Sequence, residues 1–441
     1  MIMSEQEPKP DTKIEQPAEK TEMPKTPEQE RAEHIGALKQ QLDGYEGPSN
    51  DREFEVRADE IRQQHEHACE GVQISDETRA QLDEKMRSEI AGTQKRMKEH
   101  SGQKQEWQVL SAQELIHTAG GKIDSSEKPY KRFNPKKHER FFIQKGELND
   151  SDVVFKVGEA KDRDTVQNES RNLRVIENAP IEEGQNLDVH FVRQVGDVFE
   201  DDEMVGLATE YIQDDPELKK SLSAEQKVKI IGRTIESLQK LSVTDNARES
   251  GLPSHDGEKI ARDAQYFLDT LLQEGRIDSE TVNVLQEAFR DALPSLTAEQ
   301  PVFVHGDAHG DNIFVSEADN GELDVSLLDF EGLRISNQYH DWSEILNKSA
   351  FLKHVQANRP ELFDPIRKNV ENMWLDESVD FDEQAIIDKV SGGDPDKARN
   401  FRLTRAYDML TRIMNDRDSG HPMAQERVNL YLEQLREYGK I

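Results

Sequence analysis

The sequence predicts an α+β protein built of a compact antiparallel β-rich part followed by a mainly helical part, behind a charged N-terminal extension. Three observations carry this. Residues 139–158 hold two runs rich in β-branched and aromatic residues joined by Asn149-Asp150-Ser151, a hairpin pattern. From Ser223 to Leu293 apolar residues recur at spacings of three and four, the period of helices with one buried face. Residues 301–332 then return to short strand signals, Val302–Val304, Ile313–Val315 and Val325–Phe330, with Asp319-Asn320-Gly321 supplying turn residues.

Length and charge bound what the chain does. Its 441 residues allow two or three domains. A net charge of -33 with 34% hydrophobic residues makes nucleic acid and anionic membrane poor partners and cationic ones easier. Cys69 is the one cysteine, which excludes an intramolecular disulfide and suits a reducing compartment. The polar N-terminus and the lack of a long apolar run give neither a secretory signal nor a membrane span, so a cytoplasmic location is expected.

Taken in order, residues 1–28 are rich in Glu, Lys, Pro, Gln and Thr without an aromatic, a composition expected to stay disordered. Residues 29–106 are charged helix formers, with Ile35, Leu38 and Leu42, then Leu82, Met86 and Ile90, making narrow apolar stripes. They read as a helical appendage; contacts with a partner through this extension are the alternative. A short helix over Gln113–Thr118 ends at Gly120-Gly121. Strands follow over 139–148 and 152–158, and Lys156 shares a face with Val154 and Gly158.

In the next helix Val166, Glu169, Leu173 and Ile176 fall on one stripe. A carboxylate on an apolar face is costly unless paired, and Lys156 in the preceding strand is a natural partner. Strands over Val189–Val195 and Met204–Ile212 come next. Ser223 with Gln226 then forms a candidate capping box ahead of Val228, Ile231, Ile235 and Leu238. Helices are expected over 258–273 and 280–293 before the hairpin, and over 364–374, 396–414 and 422–438 after it.

Asp307, Asp311, Asn312 and Asp329 crowd acceptor-rich groups into a loop and a strand end, the arrangement an oxygen-preferring cation such as Mg2+ requires. His305-Gly306-Asp307 with Asn312, followed one hairpin later by Asp329-Phe330, resembles the aminoglycoside phosphotransferase and choline kinase superfamily of small-molecule kinases. Ala308-His309 and Glu331 point to that branch, since protein kinases carry Arg after the His, Lys two residues after the Asp, and Gly after Asp-Phe.

The resemblance covers about residues 110–441 and implies a two-lobed protein-kinase-like fold: a β-rich nucleotide-binding lobe over 107–212 and a helical catalytic and substrate-binding lobe over 213–441. It implies transfer of the γ-phosphoryl group of ATP, with GTP left open, to a hydroxyl of a small molecule. Asp307 would orient that hydroxyl and accept its proton. Asn312 and Asp329 would hold Mg2+, Lys156 would bind the phosphates, and Glu169 would fix Lys156. Glu210, Tyr211 and Ile212 fall where the family has a hinge whose backbone pairs with the adenine edge. His305 and His309 read as hydrogen-bond braces of the loop rather than metal ligands, and Asp341 as a buried brace at a helix start.

The expected glycine-rich phosphate loop is missing. Residues 122–140 carry Lys128, Lys131, Arg132, Lys136, Lys137 and Arg140, with no glycine. Either a charged lid, with Ser125 and Ser126, replaces the backbone amides, or the segment is a solvated hairpin tip. Two rival functions follow: a kinase-like module that binds without turnover, and, from Gly306-Asp307-Ala308-His309-Gly310, a binuclear metallophosphoesterase. The second lacks the further Gly-Asp and Gly-Asn-His clusters two metals would need. The acidic residues at 197–203, 214, 215 and 217 either attract an amine-bearing acceptor or are solvated turns.

Overall fold

The computed structural model describes residues 27–43, 45, 51–69, 76–126, 128–130, 140–182, 184–318 and 320–438. The expected disordered tail lies almost wholly outside them. So do Lys131, Arg132, Lys136 and Lys137 of the basic segment. The chain divides into two compact units between Ser111 and Ala112.

The first unit is helical: α1 (Pro27–Asp43), α2 (Asp51–Cys69) and the first part of α3 (Asp76–Thr118). The separate helix expected over Gln113–Thr118 is the end of α3. No proline interrupts that stretch, and Gly92 and Gly102 each cost only about 1 kcal/mol in a helix of otherwise good formers. Phe54, Ala58 and Met97 make a small core with Ile90 beside it. Tyr45 stacks on His100 with ring centroids 3.8 Å apart, and His34 meets Glu106 at 3.2 Å.

The second unit begins with β1 (Lys122–Ile123), β2 (Phe142–Leu148) and β3 (Ser151–Glu159), then α4 (Arg163–Asn178). It continues with β4 (His190–Phe191), β5 (Phe199–Glu200) and β6 (Met204–Glu210). β1, β2, β3, β6 and β5 form one antiparallel sheet in that order. Phe142, Val153, Phe155 and Val157 alternate inward along β2 and β3, as a half-buried sheet requires. α4 buries Val166, Glu169, Asn172, Leu173 and Ile176 on one side.

The strand expected over Val189–Val195 is split: Gln194 bridges Thr209 of β6, while His190–Phe191 runs parallel to a strand of the helical half. That partner is more than a hundred residues away in sequence, beyond what local pattern specifies. The acidic turn after it contributes β5 and its pairing with β6.

The helical half contains α5 (Pro216–Ser221), α6 (Ala224–Gln239), α7 (Asp245–Glu249), β7 (Ser254–His255), α8 (Gly257–Gln273) and α9 (Ser279–Ala298). After β8 (Val302–Val304), β9 (Ile313–Glu317), β10 (Leu323–Leu327) and β11 (Arg334–Ser336) come α10 (His340–Asn358), α11 (Pro360–Phe363) and α12 (Arg367–Asn372). The chain closes with α13 (Glu383–Ser391), α14 (Pro395–Asp416) and α15 (Pro422–Tyr438). The capping box at α6 is formed, with Ser223 N donating to Gln226 Oε1 at 2.8 Å and Gln226 N to Ser223 Oγ at 3.2 Å.

Ile231, Ile235 and Leu238 of α6, Ile260 and Leu268 of α8, Phe289 of α9, and Leu410 and Ile413 of α14 share one core. The expected helix over 364–374 is broken instead, a 3-10 turn leading into α12 and Trp374 standing at φ 60°. β10 stops at Leu327, short of the expected Phe330, because Asp329 turns into the left-handed region at φ 61° and starts a 3-10 turn. No helix among the described residues is long and apolar enough to cross a membrane.

Phe330 is the hinge of this packing. It has no exposure and meets Phe191 edge-on at 6.0 Å and His305 at 5.1 Å. Its carbonyl accepts from the buried Asn172 Nδ2 of α4 at 2.8 Å, so one residue ties the β-rich half to the helical half. Phe330→Ala is expected to cost about 3–5 kcal/mol in chemical denaturation, the range for truncating a buried aromatic.

Candidate active site

The site is built where β8, the loop 305–312 and the end of β10 meet α10. Gly306 starts the loop at φ 78°, and a Cβ there would lie 2.7 Å from Gly332 O, so the position requires glycine. Asp341, in the first turn of α10 and 1% exposed, accepts His305 N on Oδ2 at 3.0 Å and Gly306 N on Oδ1 at 2.8 Å. Burial pushes its carboxyl above the ordinary carboxylate range, against the pull of His305 and the two N–H groups.

His305 has both ring nitrogens engaged. Nε2 meets Leu328 O at 2.9 Å and Nδ1 accepts Asp307 N at 3.2 Å, which fixes the proton on Nε2. His309 is buried and faces Asp307 Oδ2 through Nε2 at 3.2 Å. Asn312 donates its Nδ2 to Asp307 O at 2.9 Å and to Asp307 Oδ2 at 3.3 Å. Leu328 N donates to Asn312 O at 2.9 Å, setting the strand end before Asp329 against the loop.

Asp307 has a fourth neighbour that sequence reasoning missed. Lys348, on α10, donates its Nζ to Asp307 Oδ1. Burial works against the charged carboxylate here, but the hydrogen bond from His309 and the Lys348 charge outweigh it and hold Asp307 well below the usual carboxylate range. The available signal was spacing: Asp341, Glu344 and Lys348 recur at intervals of three and four on a helix that starts with the brace residue.

Across the cleft, Lys156 donates to Glu169 Oε2 at 2.6 Å and lies 3.7 Å from Asp329 Oδ1 and 3.9 Å from Glu331 Oε2. The Lys156 side chain is 13% exposed and that of Glu169 6%, so this is a buried pair. Burial opposes the ammonium, yet the three carboxylates hold Lys156 above its ordinary range. Arg140, the last cation of the basic segment, reaches Glu331 at 3.4 Å and Asp162 at 3.7 Å. Asp329 is 45% exposed and Asp311 is exposed.

The remaining expected residues are placed as follows. Ser126 donates N and Oγ to Asp124 Oδ1 at 2.9 and 2.5 Å in a local turn, and Ser125 is exposed beside it. Glu210 does not offer a free hinge donor: its N donates to Arg193 O at 2.9 Å. Its carboxylate takes His190 Nε2 at 2.7 Å and Arg193 N at 2.8 Å. Against burial, these bonds lower the Glu210 carboxyl to about 2. Tyr211 N closes the ladder on Asp152 O at 3.0 Å, and Ile212 lies just beyond that last bond.

Three of the acidic residues weighed as attracting an amine are engaged: Asp214 accepts Val315 N at 3.0 Å, Asp215 caps α5, and Asp197 pairs with Arg174 at 2.5 Å. Among the described residues no group of three or more His, Cys, Asp or Glu is arranged to hold a metal, as a binuclear centre would be.

A sequence profile of the phosphotransferase enzyme family matches residues 135–361, which include every loop and strand just described from Lys156 to Lys348. The chain belongs to this phosphotransferase family. Its fold is accordingly the two-lobed, kinase-like α+β architecture.

No curated protein matches the chain. Among solved structures it is similar to an aminoglycoside phosphotransferase in complex with GDP and kanamycin, at 16% identity, 75% of this chain, 98% of that one and a TM-score of 0.42. It is also similar to a macrolide 2′-phosphotransferase from Brachybacterium faecium, at 14% identity, 73% and 96% coverage and a TM-score of 0.44.

Gly310 sets the fit of the loop against the phosphotransferase's C-terminal part. Its N donates to Met373 O at 2.9 Å, its O accepts Lys219 Nζ at 3.0 Å, and a Cβ would lie 2.4 Å from Asn372 O and 2.7 Å from the Trp374 ring. Gly310→Ala is expected to lower stability by about 1–3 kcal/mol in thermal unfolding, since backbone and a buried indole must both give way.

Proposed function

We propose that this phosphotransferase moves the γ-phosphoryl group of ATP to a hydroxyl of a small molecule. The observation that carries the reading is Lys156, which joins Glu169 of the β-rich lobe to Asp329 of the helical lobe, beside the loop that presents Asp307 and Asn312. In this reading Lys156 binds the α and β phosphates and Glu169 fixes its position. Asp307 accepts the hydrogen bond of the acceptor hydroxyl.

Asn312 and Asp329 fit a divalent cation. The Asn312 amide nitrogen is turned toward Asp307, which leaves its carbonyl oxygen for a ligand, and the Asp329 carboxylate is open to solvent. Two oxygen donors suit Mg2+, which when bound neutralises phosphate charge. The hinge contact falls to Ile212 rather than Glu210, and the role of Ser125 and Ser126 is to flank the phosphates. A cytoplasmic location, where ATP and Mg2+ are supplied, fits the same reading.

The acceptor is a hydroxyl compound, and the engagement of Asp197, Asp214 and Asp215 in caps and ion pairs gives no support to a cationic one. The test is ADP production with Mg2+ and ATP or GTP against pools of sugars, amino alcohols, hydroxy acids and aminoglycosides. Acceptor-dependent turnover is expected, with Asp307→Ala lowering kcat by about 10²–10⁴-fold and Asp329→Asn abolishing the response to Mg2+. Nucleotide binding without turnover on any pool would favour the binding-module reading. Turnover that survives Asp307→Ala would overturn the assignment.

A further inference from the structure

One face of α10 carries Asp341, Glu344 and Lys348, and each holds a different part of the site. Asp341 takes two backbone N–H groups of the 305–312 loop, and Lys348 takes the loop's carboxylate. Between them Glu344, 3% exposed, accepts Arg334 Nη2 at 2.8 Å and Arg412 Nη2, and lies 3.4 Å from Lys348 Nζ. Lys348 is therefore seated on a buried, fully paired base. Its side chain is 24% exposed, on the side where Asp307 is 43% exposed.

The hydrogen-bond inventory of Asp307 makes this position informative. A carboxylate oxygen accepts about two hydrogen bonds. Oδ2 already receives His309 Nε2 at 3.2 Å and Asn312 Nδ2 at 3.3 Å. Oδ1 receives Lys348. One acceptor direction is left, on the oxygen that Lys348 holds.

We propose that Lys348 is a positioning residue for phosphoryl transfer, locking the Asp307 carboxylate so that Oδ1 meets the acceptor hydroxyl with the Lys348 ammonium beside it. This rests on the reading of Asp307 as the acceptor's proton partner. As the acceptor oxygen bonds to the γ-phosphorus, the bond from that phosphorus to the bridging oxygen breaks and its electron pair leaves with ADP. The hydroxyl proton passes to Asp307 Oδ1. Lys348 fixes the rotation of that carboxylate through its bond to Oδ1.

The groups around this pair are His309, Asn312 and the His305 ring from the loop, Glu344 from α10, and, behind Glu344, Arg334 from β11 and Arg412 from α14. Arg334 and Arg412 are occupied by Glu344, so Lys348 is the cation in contact with Asp307 Oδ1.

The test compares wild type with Lys348→Met and Lys348→Arg in the full chain, by kcat and KM for ATP and acceptor and by crystal structures that read the rotation of the Asp307 side chain. Lys348→Met is expected to leave that side chain in more than one rotation and to lower kcat by about 10–100-fold, with KM for ATP within about twofold of wild type. Lys348→Arg should restore the single rotation and part of kcat.

An Asp307 side chain unmoved in Lys348→Met overturns the proposal. So does a loss confined to KM or thermal stability with kcat intact. If wild type turns over no acceptor, the phosphotransfer reading fails by itself, while the crystal structures still read the Lys348 to Asp307 link. Should Lys348→Met not fold, Lys348→Arg with Asp307 unmoved but kcat lost would also sink it.

Discussion

A carboxylate with almost no access to solvent, Asp341, sets the geometry on which the site depends. Moving a lone carboxylate out of water is costly, and it is tolerated here because both oxygens receive backbone N–H groups, from His305 and Gly306. Those two donors lie in a turn that only glycine can take at Gly306. The acceptor and the turn therefore define one another. The path of the next residues, and with it the direction of the Asp307 side chain, follows from that contact.

Below this contact the chain threads a connected polar network through the apolar core. Asn347 donates to Asp408 Oδ2 at 2.9 Å and accepts Arg405 Nε at 2.8 Å, while its carbonyl accepts Tyr431 OH at 3.1 Å. Arg405 in turn meets Glu383, and Glu344 holds Arg334 and Arg412. Such a network contributes little net stability over a well-packed apolar one. Its effect is on uniqueness: docking α10, α14 or α15 in another way would leave buried polar groups without the partners they have here.

Much of this was legible in the sequence because certain residues are expensive alone. Glu169 on an apolar stripe needed a cation, and Lys156 in the strand before it was at hand. The helices from α6 to α9 followed from stripe and cap. What was not legible depended on partners distant in sequence. β4 reads as a longer strand of the first sheet, yet its pairing partner is β10. Lys348 drew no reading from the sequence, because only folding sets it against Asp307. Glu210 reads as a hinge residue, and only the approach of Arg193 and His190 shows its N–H and carboxylate taken.

The left-handed backbone at Asp329 narrows the ways this position can drift over evolutionary time. Side chains with a Cβ pay about 1–2 kcal/mol there, Asn and Asp least because they bond locally, and Gly nothing. A substitution to Asn preserves the path and an oxygen, and one to Gly preserves the path and removes the oxygen. Larger or branched residues would displace Phe330 and the packing it holds. A lineage that lost the chemistry would therefore be expected to carry Asn or Gly here while keeping its architecture whole.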